Sequence, residues 1–445
     1  MKDSETRSAD IAARALDAHR RWRGKIQSLP KCPVHGIDDF ALWYTPGVAA
    51  VARAVAETPD EAWTLTGRGD RVAIVSDGSR VLGLGDIGAE AAMPVMEGKA
   101  LLFKYLGGVD ATALCIDAED PGKIVDFVRT ITPSFGAVNL EDIATPKCFR
   151  VLEALQGTLP IPVWHDDQQG TAAVALAGLL SALDVVGKSL GEVRIALIGI
   201  GAANTAVYRL LKAAGADPDL MRVCDSKGLL HANRGDIAGD RNRLREKWAI
   251  CNETNKDRLP GGISEALDGA DVCIAFSRPG PGVIPPDAVS GMAADAILFA
   301  CANPTPEIWP EVAQAAGARI VATGRSDFPN QVNNALVFPG LFRGILDVRA
   351  ERITDGTALA AAHALVGRAR ALGLDGMALL PRLDDMESAA AVAAAAADSA
   401  QAEGIARIRR KPEQVWDDTI ARIAAVRAVT AAMFGNGDSV TGDAP

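Results

Sequence analysis

Two pairs of adjacent carboxylates are the residues of this chain best placed to do chemistry. Asp166 and Asp167 stand just ahead of a long apolar stretch that begins at Thr171, and Glu141 and Asp142 end an apolar segment upstream. Mg²⁺ and Mn²⁺ take oxygen ligands and leave positions open for substrate. Either pair alone would also suit the acidic first turn of a helix. Because both pairs follow apolar segments in a chain that also carries a nucleotide motif, we predict that they hold a divalent metal.

That nucleotide motif is a glycine-rich turn between the apolar segment 193–200 and a helical pattern. Gly199 permits the tight turn, and Gly201 lets the backbone approach a pyrophosphate, which the helix amino terminus attracts. Asn204 stands where the third glycine is expected, which weakens the motif. The predicted cofactor-binding residues of this region are Gly199, Gly201, Ala202, Ala203, Asn204, Asp225, Ser226 and Lys227.

The choice between NAD and NADP rests on the end of the next apolar segment. Asp225 would accept hydrogen bonds from the adenosine ribose and repel a 2'-phosphate, which favours NAD. Ser226, Lys227 and Arg222 could instead contact such a phosphate. The sequence therefore leaves both cofactors open.

Lys99 and Tyr44 are candidates for proton transfer. Lys99 follows a glycine-rich loop over residues 83–88, and a buried lysine beside a metal would lose its proton more readily and serve as general base. On an exposed surface it would be an ordinary solvated lysine. Tyr44 is one of three tyrosines, and a tyrosine is more often a packed core residue.

Amide-rich loops near residues 303–307 and 327–334 suit the binding of carboxylates and of the nicotinamide amide, because amides both donate and accept hydrogen bonds. The same residues also form ordinary turns. The amides singled out there are Asn303, Asn333 and Asn334.

Short apolar segments alternate with helical patterns from residue 72 to residue 301, which predicts an α/β fold with parallel sheets and covering helices. We place a boundary near Thr171, where a helix leads into the segment with the glycine turn. Residues 1–170 then form the metal and substrate domain, residues 171–350 a Rossmann-like doubly wound domain, and residues 351–445 an alanine-rich helical segment. We expect its last residues, from Gly435 onward, to be frayed.

Composition limits the classes of protein. With 445 residues, 49% of them hydrophobic, the chain can bury a large core, and its net charge of −10 gives no footprint for nucleic acid. The charged amino terminus is not a secretory signal, and the longest apolar run, 171–183, is too short to span a membrane. Seven scattered cysteines without zinc-ligand spacing fit a reducing cytoplasm.

At this point the chain resembles the malic enzymes, in particular the shorter bacterial type, over nearly its whole length. The resemblance rests on nine motifs in order: residues 44–48 (YTPGV), 81–88 (VLGLGDIG), 94–99, 139–143 (NLEDI), 165–168 (HDDQ), 199–203, 303–307 (NPTPE), 323–327 and 333–334. It implies a malic-type amino-terminal α/β domain, a Rossmann-like NAD(P)-binding domain, and carboxyl-terminal helices that pack back on the first domain. Gln169 departs from relatives that often carry histidine there.

The resemblance implies oxidative decarboxylation of L-malate to pyruvate and CO₂, with NAD or NADP and with Mg²⁺ or Mn²⁺. Lys99 would take the C2 hydroxyl proton, and Tyr44 would protonate C3 of the enolate. Asp166 would orient either Lys99 or the second shell of the metal. The other implied roles are metal binding by Glu141, Asp142 and Asp167, substrate binding by Arg80, Asn303 and Asn334, and nicotinamide contacts by Asn303 and Asn333.

Two alternatives stay open. A malolactic-type enzyme would share this site but retain its cofactor and release lactate, and a catalytically silent nucleotide-binding regulator would share the fold alone. The resemblance also implies a homodimer or homotetramer. Composition and cysteine usage predict a cytoplasmic protein with neither nucleic acid nor a membrane as a partner.

Overall fold

The computed structural model describes residues 2–81 and 83–435, and this part of the chain is organised around two β-sheets. Leu82, within the glycine-rich loop, and residues 436–445, which make up nearly all of the tail expected to fray, lie outside the described residues. The first sheet has the strand order β2-β1-β3-β4, and all its pairs are parallel. Its strands are β1 (Arg71–Ser76), β2 (Asp110–Cys115), β3 (Ala137–Leu140) and β4 (Val163–His165).

The second sheet has the strand order β10-β9-β8-β5-β6-β7. Only the β6–β7 pair is antiparallel. Its strands are β5 (Ile195–Ile198), β6 (Met221–Asp225), β7 (Gly228–Leu229), β8 (Val272–Ala275), β9 (Ile297–Ala300) and β10 (Ile320–Thr323).

Helices cover both sheets. In chain order they are α1 (Lys2–Trp22), α2 (Asp39–Trp43), α3 (Val48–Glu57), α4 (Ala62–Leu65), α5 (Gly88–Gly107), α6 (Pro121–Ile131), α7 (Lys147–Leu155), α8 (Thr171–Val186), α9 (Ala202–Ala213), α10 (Gly235–Ala238), α11 (Arg245–Glu253), α12 (Ile263–Leu267), α13 (Pro286–Ser290), α14 (Pro310–Ala315), α15 (Phe338–Asp347), α16 (Asp355–Ala371), α17 (Met386–Ala402) and α18 (Pro412–Phe434).

Each sheet is buried on both faces, as the continuous apolar strands require. Along β5, Ile195 and Leu197 face one hydrophobic cluster while Ala196 and Ile198 face another. The cluster that holds Ile195 also holds Val72 of β1, so a single core joins the two sheets. The predicted α/β class with parallel sheets is thereby confirmed. Strands β7 and β10 were not predicted from the sequence.

Helix α8 runs through the common core. The segment Asp166–Val186, which includes a π-helical turn over residues 166–170, is long and apolar enough to cross a membrane, yet 72% of its apolar window is buried inside the protein. The helical run is therefore longer than the apolar stretch 171–183 suggested, but its neighbours are protein side chains. Burial of this kind is typical of a core helix.

The carboxyl-terminal helices contact both halves of the chain. Helix α18 packs on α5, and α16 packs on α8. The guanidinium of Arg407 donates to the carbonyl of Pro160, and that of Arg422 donates to the Asp70 carboxylate just before β1. The boundary predicted near Thr171 falls between the two sheets, at the first residue of α8.

Both sheets reverse their winding direction beside the strand that starts them. In the first sheet the chain proceeds from β1 to β2 on one side and then to β3 on the other, and the second sheet repeats this pattern around β5. A crevice opens at such a switch point, outside the carboxyl ends of the strands, and ligands of open α/β sheets bind there. The acidic residues and the glycine turn both follow strands at these points.

Candidate active site

Four acidic residues and one lysine meet at the carboxyl end of the first sheet. Glu141 and Asp142 follow β3, and Asp166 and Asp167 form the start of the π-helical turn after β4. Lys99, from the middle of α5, places its Nζ 2.9 Å from Glu141 Oε1 and 2.5 Å from Asp166 Oδ2. The structure thus brings Lys99 next to an acid, Asp166, that lies 67 positions away in the sequence.

Lys99 is buried, with 8% of its surface exposed, so it is not a solvated surface lysine. Without a metal beside it, the neighbouring acids govern its pKa. Burial favours the neutral amine, but the carboxylates of Asp166 and Glu141 outweigh burial and raise the pKa of Lys99 above its usual value. In this arrangement the two acids favour the protonated form of Lys99.

The acidic cluster carries more negative charge than Lys99 offsets. Burial raises the pKa of Glu141, the neighbouring carboxylates raise it further, and only Lys99 opposes them. Burial likewise raises the pKa of Asp167, against the effects of Lys99, the Asp142 N–H and Arg80. A divalent cation would relieve this repulsion, and an all-carboxylate donor set suits Mg²⁺ or Mn²⁺.

The carboxylates do not, however, form a complete set of metal ligands in this arrangement. Among the described residues, no group of three or more acidic, histidine or cysteine side chains converges on one point closely enough to hold an ion as it stands. One Asp167 oxygen instead accepts a hydrogen bond of 2.8 Å from the backbone N–H of Asp142. The donor chemistry fits a metal, and the metal itself remains a proposal.

Asp166 is held rigidly between two donors. Its Oδ1 accepts a hydrogen bond of 3.0 Å from the indole of Trp164, and its Oδ2 faces Lys99. The Lys99 ammonium also lies 4.2 Å from the ring centre of Phe338, a favourable cation–π contact. These contacts hold the lysine in one position, as expected if Asp166 orients it.

Arg80 lies beside the acids on the side open to solvent. Its backbone N–H donates to the carbonyl of Asp142 at 3.0 Å, its side chain is exposed, and its charge lowers the pKa of Asp167. The loop that carries it is braced from below by Asp77, which accepts from Ser79 and pairs with Lys147. An exposed guanidinium beside a carboxylate cluster is well placed to bind an anionic substrate.

The glycine turn follows β5 as predicted. Gly199 has a left-handed φ of +84°, and a Cβ there would lie 2.6 Å from the Phe276 carbonyl, so only glycine fits. Ala202, at the start of α9, packs against the core of the first sheet beyond the acidic residues. The helix amino terminus expected to receive the pyrophosphate therefore lies next to the catalytic half of the chain.

The prediction that Asn204 contacts the cofactor needs correction. Its side chain is fully buried, and its Nδ2 donates to the carbonyls of Ile198, Gly199 and Ile274. Because the amide ties the turn to two strands, it does the structural work expected of the third glycine. Its side-chain nitrogen therefore supports the turn.

The surroundings of Asp225 also differ from the sequence-based expectation. Arg222 lies near the opposite end of β6, where its guanidinium donates to the carbonyls of Glu265 and Asp268. Two residues that were not considered, Arg234 and Lys247, pair with the Asp225 carboxylate instead. The sequence signal that could have predicted this pair is Arg234 itself, a basic residue in the loop that follows the strand ending at Asp225.

Ser226 and Lys227 are exposed beside this ion pair. The Lys227 ammonium lies 3.2 Å from Asp236, so its charge is partly engaged. Their contact with the cofactor stays a prediction.

The amide loops occupy the carboxyl end of the second sheet. Asn303 is exposed, and its backbone touches the glycine-rich loop of the first half, where a Cβ on Gly83 would lie 2.3 Å from the Asn303 carbonyl. Asn333 uses its side-chain oxygen to accept a hydrogen bond from Ala335, so it caps a short turn that begins at Asn334. The contact between Gly83 and Asn303 closes one end of the crevice between the sheets.

Tyr44 is neither a core residue nor part of the acidic cluster. It is 66% exposed, and within the described chain none of the hydrogen bonds involves its hydroxyl group. No residue from Arg23 to Ala62 is buried. Large apolar side chains are exposed throughout this segment, among them Leu29, Ile37, Phe40, Leu42 and Trp43.

Comparisons with known proteins agree with this arrangement. The profile of the family described as malic enzyme, N-terminal domain, matches residues 23–156, and that of the malic enzyme NAD binding domain matches residues 168–401. The chain is 44% identical over 405 residues to the bifunctional malic/malolactic enzyme of Bacillus subtilis (strain 168), covering 91% of this chain and 97% of that protein. It is 46% identical over 386 residues to the NAD-dependent malic enzyme of Geobacillus stearothermophilus, covering 86% and 78% respectively.

Solved structures show the same similarity. The malic enzyme of Entamoeba histolytica superposes with a TM-score of 0.92 at 45% identity, covering 94% of this chain and 87% of that one. The malic enzyme of Pyrococcus horikoshii superposes with a TM-score of 0.90 at 47% identity, covering 95% and 98%. Two family profiles in order, together with the acidic cluster and the glycine turn that the fold brings side by side, show that this chain belongs to the malic enzyme family.

Proposed function

We propose that this protein catalyses the oxidative decarboxylation of L-malate to pyruvate and CO₂ with NAD or NADP as oxidant. The observation that carries the proposal is the position of Lys99. This buried lysine is paired with both Asp166 and Glu141 at the carboxyl end of the first sheet. The exposed Arg80 lowers the pKa of Asp167 in the same cluster, and the turn 166–170 contacts α9, the helix that follows the glycine turn. These are the groups needed to bind a dicarboxylate, remove its hydroxyl proton and hold a nicotinamide nearby.

Lys99 takes the proton from the C2 hydroxyl of malate. It accepts that proton as a neutral amine. Asp166 remains its partner and keeps the amine directed at the substrate. Arg80 binds a malate carboxylate, and Asn303 and Asn334 contact the substrate from the second sheet, with Asn303 and Asn333 bordering the nicotinamide.

Glu141, Asp142 and Asp167 are the residues that would hold Mg²⁺ or Mn²⁺. When bound, the ion supplies a positive charge that polarises the C2 oxygen and stabilises negative charge developing there. The test is direct Mn²⁺ binding, measured by electron paramagnetic resonance without substrate. Asp167→Asn should weaken binding about tenfold or more, whereas Asp126→Asn, an exposed carboxylate on α6, should leave it unchanged.

The protein functions as a homodimer or a larger homo-oligomer. The forty residues from Arg23 to Ala62 have no buried side chain, so they do not form a hydrophobic core by themselves. An exposed apolar surface of this kind is typical of a protein–protein contact. We assign this surface to a second copy of the chain. Tyr44 lies in the middle of it and would reach the acidic cluster of the partner, where it protonates C3 of the enolate. A cytoplasmic location fits the seven free cysteines.

A malolactic reaction is the second candidate, because the relative from Bacillus subtilis is named as a bifunctional malic/malolactic enzyme. The two reactions share the acidic site and differ in whether the reduced cofactor leaves. The decisive experiment incubates the purified protein with L-malate and Mn²⁺, with NAD and NADP in parallel, and assays reduced cofactor, pyruvate and lactate.

Equal amounts of reduced cofactor and pyruvate are the expected result. Lactate without free reduced cofactor would favour the malolactic reaction. Neither product, with reduced nucleotide still bound tightly, would contradict both reactions and support a nucleotide-binding regulator.

A further inference from the structure

Glu307 is a fully buried carboxylate that the reaction described above does not use. It ends the segment 303–307, whose first residue, Asn303, is a predicted ligand of substrate and nicotinamide. Its Oε1 accepts hydrogen bonds from the backbone N–H and the hydroxyl of Ser277, at 2.8 and 2.9 Å. Its Oε2 accepts a hydrogen bond of 3.0 Å from the N–H of Ala302.

These donors belong to two different loops at the carboxyl end of the second sheet. Ser277 follows β8, and Ala302 follows β9, directly before Asn303. The backbone carbonyl of Glu307 also accepts from Gly282 and Ile284, at 3.0 and 3.2 Å, so the residue is bonded to both ends of the loop after β8. The side chain and the backbone of one residue therefore connect the two loops.

The two loops touch the parts of the protein that hold the reactants. The loop after β8 underlies the glycine turn, because a Cβ on Gly199 would lie 2.9 Å from Ser277. The backbone of Asn303 packs against Gly83 of the loop that precedes the catalytic lysine helix, and Arg325 donates to the next carbonyl, that of Pro304, at 2.6 Å. A shift of these two loops would therefore displace both the glycine turn at Gly199 and the glycine-rich loop at Gly83.

Burying a carboxylate at this position costs free energy. In the described chain Glu307 has no cation within ion-pair distance, and burial raises its pKa while the three N–H and O–H donors oppose that change. A buried charge held only by neutral donors contributes little to stability compared with apolar packing. Its advantage is geometric, because only an unprotonated carboxylate accepts from three donors in two loops at once.

We propose that Glu307 is a positioning residue that clamps the loops after β8 and β9 and thereby sets Asn303 against the bound malate and nicotinamide. The inference rests on the proposed function, and it adds a residue that acts on the reactants only through Asn303. Glu307→Gln keeps the shape of the side chain but turns an N–H₂ group toward one of the donors, so one bond is lost and two donors face each other.

The test compares Glu307→Gln with Asn255→Asp as a matched control. Asn255 is also buried, and its side chain makes three hydrogen bonds of similar length that tie the loop at Leu259 to Leu230, away from the crevice. For each variant we would measure the melting temperature, the dissociation constant of NADH, and kcat and KM for malate. Amide hydrogen exchange over residues 277–284 and 301–304 reports on the clamp without turnover.

We expect both variants to lose similar stability, but only Glu307→Gln should lose about tenfold or more in kcat/KM for malate, since displacement of a positioning group of this kind is costly. Exchange in the two loops should accelerate in that variant alone, with NADH affinity changed less than malate turnover. Ser277→Ala, which removes only the hydroxyl donor, should show a smaller change in the same direction.

If the wild type is active and Glu307→Gln loses no more activity than Asn255→Asp, the positioning role is wrong although the proposed function stands. If the wild type does not oxidise malate, the proposed function is wrong, and the positioning role falls with it. Should Glu307→Gln not fold, Ser277→Ala decides, and unchanged loop exchange and kcat/KM in that variant would overturn the proposal.

Discussion

The guanidinium of Arg234 donates two hydrogen bonds to the carboxylate of Asp225, one from each terminal nitrogen, at 3.1 Å to Oδ1 and 3.2 Å to Oδ2. Lys247 adds a second cation 3.4 Å from Oδ2. Asp225 is the acid expected to bind the ribose hydroxyls and to repel a 2'-phosphate. Arg234 also pairs with Asp236, which Lys227 contacts in turn. Three cations and two carboxylates therefore share this region, and the repulsion expected of an isolated aspartate is offset.

We therefore predict that Arg234→Gln weakens NADPH binding about tenfold or more while changing NADH binding by less than about threefold, since a phosphate loses a charge-assisted hydrogen bond that a hydroxyl does not make. Asp225→Ser should shift preference toward NADP by releasing both cations. Fluorescence titration of the two reduced cofactors measures these effects without turnover. Arg222→Gln is the matched control, and a ratio of affinities unchanged in both test variants would place the discrimination elsewhere.

Lys99→Ala should reduce malate oxidation by about 10²- to 10⁴-fold, the usual contribution of a general base. Its NADH affinity should stay within about threefold of the wild type, because the lysine acts on substrate alone. Lys104→Ala, on the same helix and paired with Asp110 at the surface, is the control and should retain full activity. Normal turnover in Lys99→Ala would remove the lysine from the mechanism.

Tyr44→Phe should impair the conversion of malate to pyruvate more than hydride transfer, because the phenol is needed only to protonate C3. Measuring NADH and pyruvate in the same reaction separates the two steps. If Tyr44→Phe still protonates enolpyruvate at the normal rate, another acid has to be found.

Mixed dimers test whether Tyr44 acts across the interface. When Tyr44→Phe and Lys99→Ala chains are refolded together in equal amounts, half of the dimers are mixed, and each mixed dimer contains one complete site if the tyrosine comes from the partner. Activity should then recover to about a quarter of the wild-type value. If Tyr44 serves its own chain, no site in the mixture is complete, and no recovery will be seen.

Asp70 should make the fold sensitive to acid. Burial would raise its pKa, but Arg343, Arg422 and Lys31 outweigh burial and lower it below the usual value. A carboxyl whose pKa is lower in the folded state stabilises the fold at neutral pH, and this contribution is lost as the pH falls through the folded pKa. Asp70→Asn should therefore reduce the free energy of unfolding at pH 7 by about 1–3 kcal/mol, with Asp70 partly exposed and screened.

Thermal unfolding of the wild type and of Asp70→Asn, measured from pH 7 downward, would test this effect. The difference in stability between the two proteins should shrink as the pH decreases. Asp126→Asn, which changes an exposed ion pair on α6, should show no comparable difference. A constant difference between wild type and Asp70→Asn at every pH would mean that packing, and not the charge of Asp70, is responsible.

Much of this protein was determined by local sequence. Apolar segments of the right length predicted eight of the strands, because burial on both faces of a parallel sheet requires continuous apolar residues. The glycine turn and the acid pairs were visible for the same reason, since turn chemistry and strand ends depend on neighbouring residues. The family resemblance supplied roles for these residues that spacing alone does not contain.

The tertiary structure decided what those residues experience. The charge state of Lys99 depends on two acids brought from 42 and 67 positions away, and the character of Asp225 depends on the loop that folds back over it. Asn204 proved to be a structural donor because it faces carbonyls of two strands. Exposure of Tyr44, likewise, follows from which surfaces the rest of the chain covers. Electrostatic and packing energies act through space, and a linear pattern carries no distances between residues far apart in the chain.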